Sequence, residues 1–555
     1  MWSEKNRIRL INLFILIFIL GVSGRLIYLQ IIKKDFYENL SQNQSSKEFT
    51  INQNRTLITD RNDNILVKNK KTISLYVFSK QIEDPQSFLF DLKSKGLKLS
   101  DKIISRIKKR YGFVWLSRDI DLETADQLSK KYKYVGYIID EGRYYNYKNL
   151  FSQVIGFTGI DNQGLYGIEK LYDEELKGEE LFFIALKDST GKYIFFHDKE
   201  GIVSKAKTFQ LTLDKNMQQI AEISLLEGLE QFGADRGIAI GMDVRTGEIL
   251  FAVTIPSFDP NNYQRFQPDL WKNYTTSYLF EPGSIMKPFT FIYLLEHDML
   301  NLSENIFCEN GKYQIISSHT VKDVHPYGNL TAGEVLVKSS NIGTIKLNSR
   351  IDPRDFYQFL KTLGFGEPTG SLGSTEEIGL LRDVKKWSKL SQPSISIGQE
   401  ILVTPIQIVR LYAAIANGGY LHKPKFVKTT DQAVDHKKIF SEKSLEPVKL
   451  LLKEVVERGT ATAAKSDYVT IAGKTGTAQK FDKKLGKYST SEYIASFAGF
   501  FPYENPMVSM VVLYENPKKS IYGGTTAAVT FKKIAEEIAI LLGYKIKRLR
   551  IVNVS

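Results

Sequence analysis

The sequence predicts a mixed α/β protein in three parts: one N-terminal membrane-spanning helix, a mixed, elongated platform domain, and an α/β catalytic domain with helices packed on a sheet. Three observations lead there. An apolar run occupies Leu10 to Ile32, short alternating runs fill residues 45 to 200, and strand-pair patterns mixed with helical ones begin after residue 205.

The apolar run is interrupted by Asn12, Ser23, Arg25 and Gln30. As a helix it spans about 34 Å at ~1.5 Å per residue, enough for a hydrocarbon core of roughly 30 Å. Arg25 is close enough to the end to snorkel outward or to face a partner helix. Lys5, Arg7 and Arg9 precede the run against Glu4 alone, whereas Lys33 and Lys34 follow beside Asp35 and Glu38. The positive-inside rule then puts residues 1–9 in the cytoplasm and the bulk outside it. A cleaved signal peptide is the rival, but the apolar pattern resumes at Leu26-Ile27 and Ile31-Ile32, which favours an uncleaved anchor.

Residues 33–204 form the platform, with strands such as Thr72 to Val77. In 205–545, Arg236 to Met242 and Glu248 to Thr254 read as a hairpin joined through Asp243 to Gly247, and Tyr493 to Phe501 and Met507 to Tyr514 as neighbouring strands. Phe531, Ile534, Ile538 and Leu541 give Thr530 to Leu542 helical spacing, and 546–555 is a short tail.

Composition removes several functions. Lys and Arg number 75 against 62 Asp and Glu, but the basic residues are spread along the chain without zinc-finger spacing or aromatic RNA-binding motifs, so nucleic acid is not expected. Cys308 is the only cysteine, which excludes an intrachain disulfide and a cysteine-based metal site. The six histidines show no H-E-x-x-H pattern, so no metal is expected.

Three constellations carry chemistry. In Glu281-Pro282-Gly283-Ser284-Ile285-Met286-Lys287-Pro288, Pro-Gly breaks the chain before an apolar helical run, so Ser284 opens a helix and Lys287 stands one turn along, within reach of its hydroxyl. A hydroxyl attacks a carbonyl once a base takes its proton, and a lysine with a lowered pKa is such a base. Spacing alone is weak: Ser105/Lys108, Ser189/Lys192 and Ser204/Lys207 share it. The second is Ser339-Ser340-Asn341, in a helix or helix end over Thr331 to Leu347, where Ser339 can relay a proton and Asn341 can hold the lysine and a substrate amide. The third is Lys474-Thr475-Gly476-Thr477 after a strand over Tyr468 to Ala472. An edge strand there aligns a peptide by main-chain pairing, Gly476 lets it come close, and Lys474, Thr475 and Thr477 bind a carboxylate. The Ser284 and Thr477 N–H groups then form an oxyanion hole.

Two rivals fail on residues. A phosphate loop needs glycine at Tyr468, and a G-x-S-x-G hydrolase needs it at Pro282.

S-x-x-K, S-x-N and K-T-G in this order resemble the penicillin-binding protein and serine β-lactamase superfamily. The resemblance covers nearly the whole exported chain. Asn54-Arg55 through Asp60-Arg61-Asn62, Gly156 to Gly159 and Gly164 to Glu169 are similar to the platform of class B penicillin-binding proteins. Pro256 to Asn261, Ile397-Gly398-Gln399, Thr404 to Gln407, Gly459-Thr460-Ala461 and Tyr522-Gly523-Gly524 are similar to their transpeptidase domain. Thr56, Asp63, Asn146 and Glu400 depart from the family pattern.

The resemblance implies a membrane-anchored D,D-transpeptidase of the bacterial cytoplasmic membrane. It would cross-link peptidoglycan stem peptides through a Ser284 acyl-enzyme, be acylated by β-lactams, need no cofactor, and work with a SEDS-type glycosyltransferase and other membrane division proteins. Phe280 to Ser284 and Ser339 to Gly343 look more like septal enzymes than elongation ones, which tend to carry Ser-Cys-Asp at the second motif. A catalytically silent β-lactam sensor or wall-binding scaffold is the alternative from another class, and it has no signalling segment here.

Overall fold

The structure is a computed structural model that describes residues 4–37, 46–52, 55–177, 180–187, 193–197, 208–317, 319–429, 436–482 and 487–544. Asn54, the Ser189/Lys192 and Ser204/Lys207 pairs and the tail 546–555 lie outside the described residues.

The chain near its start is helical over Glu4–Ile27 and continues in a wider turn over Tyr28–Ile32. Leu10–Ile32 has a mean hydropathy of 2.3 and is 0% buried. Its apolar side chains thus have no protein core to enter, as a spanning segment requires.

Beyond that helix the chain divides into two compact units. The first takes residues 1–54, 71–141 and 178–205, and the second 55–70, 142–177 and 206–555. Segments 55–70 and 142–177, inside the expected platform, therefore pack with the catalytic half. Asn62 donates to the Asp214 carboxylate at 2.7 Å and the Asn261 amide exchanges two bonds with the Tyr145 backbone, both at 3.0 Å, while a buried charge cluster joins the two segments to each other. Arg55 and Arg143 both bind Glu169, at 2.8 Å each, Arg55 also pairs with Asp173 at 2.7 Å, and Arg143 donates to the Thr56 carbonyl at 2.8 Å. Glu169 is 0% exposed, so the two guanidiniums, with the Tyr145 hydroxyl at 3.5 Å, take the place of water around its carboxylate. Gly156 and Gly167, both at positive φ, let the strands around this cluster touch: a Cβ on Gly156 would stand 1.9 Å from the Tyr166 carbonyl oxygen. Of the departures from the family pattern, Asp63 and Glu400 both take φ 62, a conformation that favours glycine. Asn146 uses the N–H that a proline lacks, donating to Leu66 O at 2.9 Å.

In the first unit, Leu75 to Phe78 pair antiparallel with Phe113 to Ser117, and helices Pro85–Ser94, Asp101–Lys108 and Leu122–Lys131 cover one face. The expected alternation over Thr72 to Val77 fails from Ser74 onward, because Ser74, Leu75, Tyr76 and Val77 are all buried. Leu75 and Val77 enter the helix-covered core, while Tyr76 joins Phe78, Phe113 and Trp115 in an aromatic cluster on the opposite face.

The second unit is built on one five-stranded antiparallel sheet. In chain order its main elements are α1 (Lys215–Phe232), β1 (Arg236–Asp243), β2 (Ile249–Ile255), α2 (Lys287–Glu296), α3 (Ala332–Val337), α4 (Asn341–Asn348), α5 (Pro405–Ala416), α6 (Glu442–Glu457), β3 (Ala472–Asp482), β4 (Lys487–Phe501), β5 (Val508–Glu515) and α7 (Ala527–Leu541). The strand order is β2-β1-β5-β4-β3, so β3 is an edge. Both expected strand pairs and the C-terminal helix are present.

Period-two alternation feeds two cores. Ile238, Ile240, Val511, Leu513, Ala498 and Phe500 face a core shared with α2 and α5. Ala239, Met510, Val512, Phe497 and Phe501 face another, shared with α1 and α7. A bulge at Gly241/Met242 shifts the pairing, and Leu250 and Phe251 accordingly enter the same core. Thr404-Pro405-Ile406-Gln407 is a reciprocal capping box that starts α5.

The strand expected over Tyr468 to Ala472 begins only at Ala472, which pairs with Phe500. Continued in the same register, Ile471 would face Phe501 and Thr470 would face Pro502, which has no N–H to give a ladder. Val469 and Ile471 are buried all the same.

Candidate active site

Two loops meet β3 where the three motifs converge. The segment expected to carry the nucleophile is a 3₁₀ turn over Gly283–Met286, and α2 starts at Lys287, so Ser284 lies in the turn before the helix rather than in its first turn. The turn is fixed by backbone. Gly283 takes φ 57 and donates to the Gly398 carbonyl at 2.9 Å, and Tyr412 of α5 donates its hydroxyl to Ile285 O at 2.9 Å.

The Ser-Ser-Asn motif sits where α3 ends and α4 begins, so the stretch expected as a helix or helix end is two helices with a turn between them. Ser339 takes φ 60, in the left-handed region, which turns its hydroxyl toward the two lysines. Ser340 caps α4, accepting the Gly343 N–H at 2.9 Å. Asp323, a residue the motifs do not reveal, holds this turn in place. Its carboxylate accepts the Ser340 hydroxyl at 2.6 Å and the N–H groups of Asn341 and Ile342 at 2.5 and 3.1 Å.

Lys287 and Lys474 are both 0% exposed, while Ser284, Ser339, Asn341 and Thr477 are partly exposed. Two buried amines thus stand behind a row of reachable polar groups. The Lys287 amine donates to Ser339 O at 2.7 Å, Ser339 Oγ at 3.2 Å and Asn341 Oδ1 at 2.8 Å. Among the described residues the Ser284 hydroxyl has no hydrogen-bond partner. Burial pushes the Lys287 amine down to about 7, against the opposing pull of the Asp323 charge. Its neutral form is therefore substantially populated at neutral pH, as a base requires.

Lys474 comes to the same hydroxyl from the other side, donating to Ser339 Oγ at 2.8 Å. Burial and then the Lys287 charge hold its amine well below the usual lysine range. Thr475 is anchored rather than free, its hydroxyl 2.8 Å from that of Thr460. Thr477 accepts the Gly523 N–H at 3.2 Å. The Gly-Thr-Ala and Tyr-Gly-Gly motifs are thereby brought against Lys-Thr-Gly. Gly476 has a use besides the one read from sequence: a Cβ there would lie 2.3 Å from Ser496 Oγ and 2.9 Å from Pro282 O. Its missing side chain lets β3 close on the nucleophile turn.

The arrangement suits acyl transfer: a reachable hydroxyl, a lysine that is readily neutral, a hydroxyl bridging two amines, and an edge strand open to a peptide. No cluster of three or more His, Cys, Asp or Glu that could hold a metal is found among the described residues. The other serine-lysine pair in view, Ser105/Lys108, lies on a helix of the first unit, whereas the three motifs belong to the second.

Comparisons with known proteins agree with this geometry. The family described as penicillin binding protein transpeptidase domain matches residues 237–536, and the penicillin-binding protein dimerisation domain matches 50–201. The chain is 30% identical to the probable peptidoglycan D,D-transpeptidase PenA of Neisseria meningitidis, over 96% of this chain and 92% of the relative. It is also 30% identical to the peptidoglycan D,D-transpeptidase FtsI of Escherichia coli K12, over 92% and 87%. Among solved structures, penicillin binding protein 3 of Mycobacterium tuberculosis complexed with aztreonam has a TM-score of 0.69 at 24% identity, covering 90% of this chain and 98% of that one. The transpeptidase domain of Burkholderia pseudomallei penicillin-binding protein 3 has a TM-score of 0.55 at 30% identity, covering 61% and 98%.

Proposed function

The chain belongs to the class B penicillin-binding proteins, and from that membership and the convergence of three motifs on Ser284 we propose how it acts as a peptidoglycan D,D-transpeptidase. The observation that carries the reading is the Lys287 amine, buried, lowered to about 7 and held by Ser339 and Asn341 one residue beyond the nucleophile turn.

A stem peptide pairs with the edge strand β3, and its terminal carboxylate meets Lys474 and Thr477 with Thr475 in support. That carboxylate supplies the anion the buried Lys474 amine lacks, so Lys474 becomes the charged lysine. A charged Lys474 in turn favours neutral Lys287, because the two amines share Ser339 Oγ. Lys287 takes the Ser284 proton as Oγ attacks the penultimate D-Ala carbonyl, and the Ser284 and Thr477 N–H groups receive the oxyanion. The C–N bond breaks as Ser339 passes its proton to the departing D-Ala amine and takes the proton held by Lys287 in its place, which leaves an ester on Ser284 and a neutral Lys287. An amine of a second stem peptide attacks the ester and loses its proton to Lys287, which returns it to Ser284 Oγ as the ester C–O bond breaks, leaving a cross-link and a restored Ser284. β-Lactams acylate the same hydroxyl.

The septal role is part of the proposal, supported by Phe280 to Ser284, by Ser339 to Gly343 and by the FtsI name of its relatives. So are the boundaries at 10–32, 33–204 and 205–545, a SEDS-type glycosyltransferase as membrane partner, and an exported catalytic domain. Protease added outside spheroplasts should digest the catalytic domain, and full protection would reverse the orientation. For the activity itself, release of D-Ala from a pentapeptide donor with an added acceptor amine should be lost in Ser284→Ala. Release at the wild-type rate by that variant would overturn the assignment.

A further inference from the structure

Glu281 precedes Ser284 by three residues, and the scheme above makes no use of it. One of its oxygens, Oε1, accepts two hydrogen bonds, from the Glu400 N–H at 2.7 Å and from the Tyr488 hydroxyl at 3.0 Å. The other, Oε2, is buried and has no partner among the described residues. Glu400 is at φ 62, which aims its N–H at Glu281 while its own carboxylate turns to Arg382 and to the Ser391 hydroxyl. Tyr488 stands on β4, its ring edge-on to Phe481 of β3. Together with the Gly283 to Gly398 bond, this ties the nucleophile turn to the 398–400 turn and to the strand beside Lys-Thr-Gly.

We propose that Glu281 is a positioning residue for the reaction, holding the Ser284 turn in register with β3 and β4 through Oε1, and holding it more firmly when ionised. The proposal rests on Ser284 and Lys287 as nucleophile and base.

The groups facing the carboxyl come from three elements. On its own segment, Lys287 is directed to Ser339 and Asn341 instead. From the 398–400 turn come the Glu400 carboxylate and its partner Arg382, paired with each other. From β4 comes the Tyr488 phenol, held above its usual range by burial and the Glu281 charge. Burial pushes the Glu281 carboxyl up to about 7, despite the Tyr488 hydrogen bond. Loss of its proton converts both bonds at Oε1 into charge-assisted ones, which are shorter and stronger.

The test is stopped-flow acylation of the full-length protein in detergent by saturating fluorescent penicillin, as a function of pH. In the wild type the logarithm of the limiting rate should rise on the acid side with a slope above one, since Lys287 and Glu281 both lose protons there. Glu281→Gln keeps an acceptor oxygen but cannot ionise, so it stands for the protonated carboxyl: its slope should fall to one and its alkaline rate should lie about tenfold or more below wild type. Tyr488→Phe, which removes one donor, should move the second ionisation to higher pH. Glu281→Ala should lose about tenfold or more in limiting rate with first-step binding unchanged, as expected of a displaced nucleophile. The wild-type slope in Glu281→Gln, or the wild-type rate in Glu281→Ala, would overturn the proposal. A slope of one in the wild type that vanishes in Glu281→Gln would uphold it and contradict Lys287 as the base.

Discussion

At the scale of single residues the two lysines separate by task although both are buried. Lys287 must be neutral to accept the Ser284 proton, so its rate contribution appears as pH rises through about 7 and is lost below it. Arginine keeps its charge at any accessible pH. Lys287→Arg should therefore lose about a hundredfold or more of the limiting acylation rate, even at saturating β-lactam. Lys474→Arg keeps a cation for the carboxylate, and weaker binding with part of the limiting rate retained is expected in the same stopped-flow experiment. Near-normal acylation by Lys287→Arg would force the proton onto another route. Ser284, Lys287, Ser339, Asn341 and Lys474 were legible in the sequence because each sits in a short motif whose spacing is itself the signal. Asp323 was not, for its bonds to Ser340 and Asn341 span 17 and 18 positions and follow no pattern in the chain.

Among elements, the site depends on how closely a turn and a strand approach. Gly398, at φ 80, has no room for a side chain: a Cβ would stand 2.1 Å from the Gly283 carbonyl oxygen, and the contact is backbone, which cannot swing aside. Gly398→Ala should displace the nucleophile turn and cost about tenfold or more in acylation, with a smaller loss of thermal stability. Wild-type acylation by Gly398→Ala would mean that the turn is not held from this side. The hairpin β1-β2, the pair β4-β5 and α7 were readable from periodicity, since their alternation feeds two cores. The start of β3 and the break between α3 and α4 were not. The first is set by where the partner strand ends at Phe501, before Pro502, and the second by a left-handed Ser339 that local propensity disfavours.

For the whole molecule, the sequence placed a platform at 33–204 by texture, but texture does not show which segments share a core. Arg55, Arg143 and the Glu169/Asp173 segment lie far apart in the chain and meet in one buried cluster of the second unit. Two positive and two negative charges balance there, so removing one leaves another buried without its partner. Glu169→Gln should destabilise the protein by about 3–5 kcal/mol in denaturant unfolding, whereas Asp126→Asn, at an exposed ion pair with Lys130, should change stability by less than about 1 kcal/mol. Equal effects of the two would show that the cluster does not hold the unit together. The account as a whole stands on one serine out of several at S-x-x-K spacing, and the most direct measurement is peptide mapping of the adduct formed by a fluorescent penicillin on the full-length protein. The label should fall on Ser284 alone and disappear in Ser284→Ala; an adduct on Ser105, Ser189 or Ser204, or full labelling of Ser284→Ala, would contradict it.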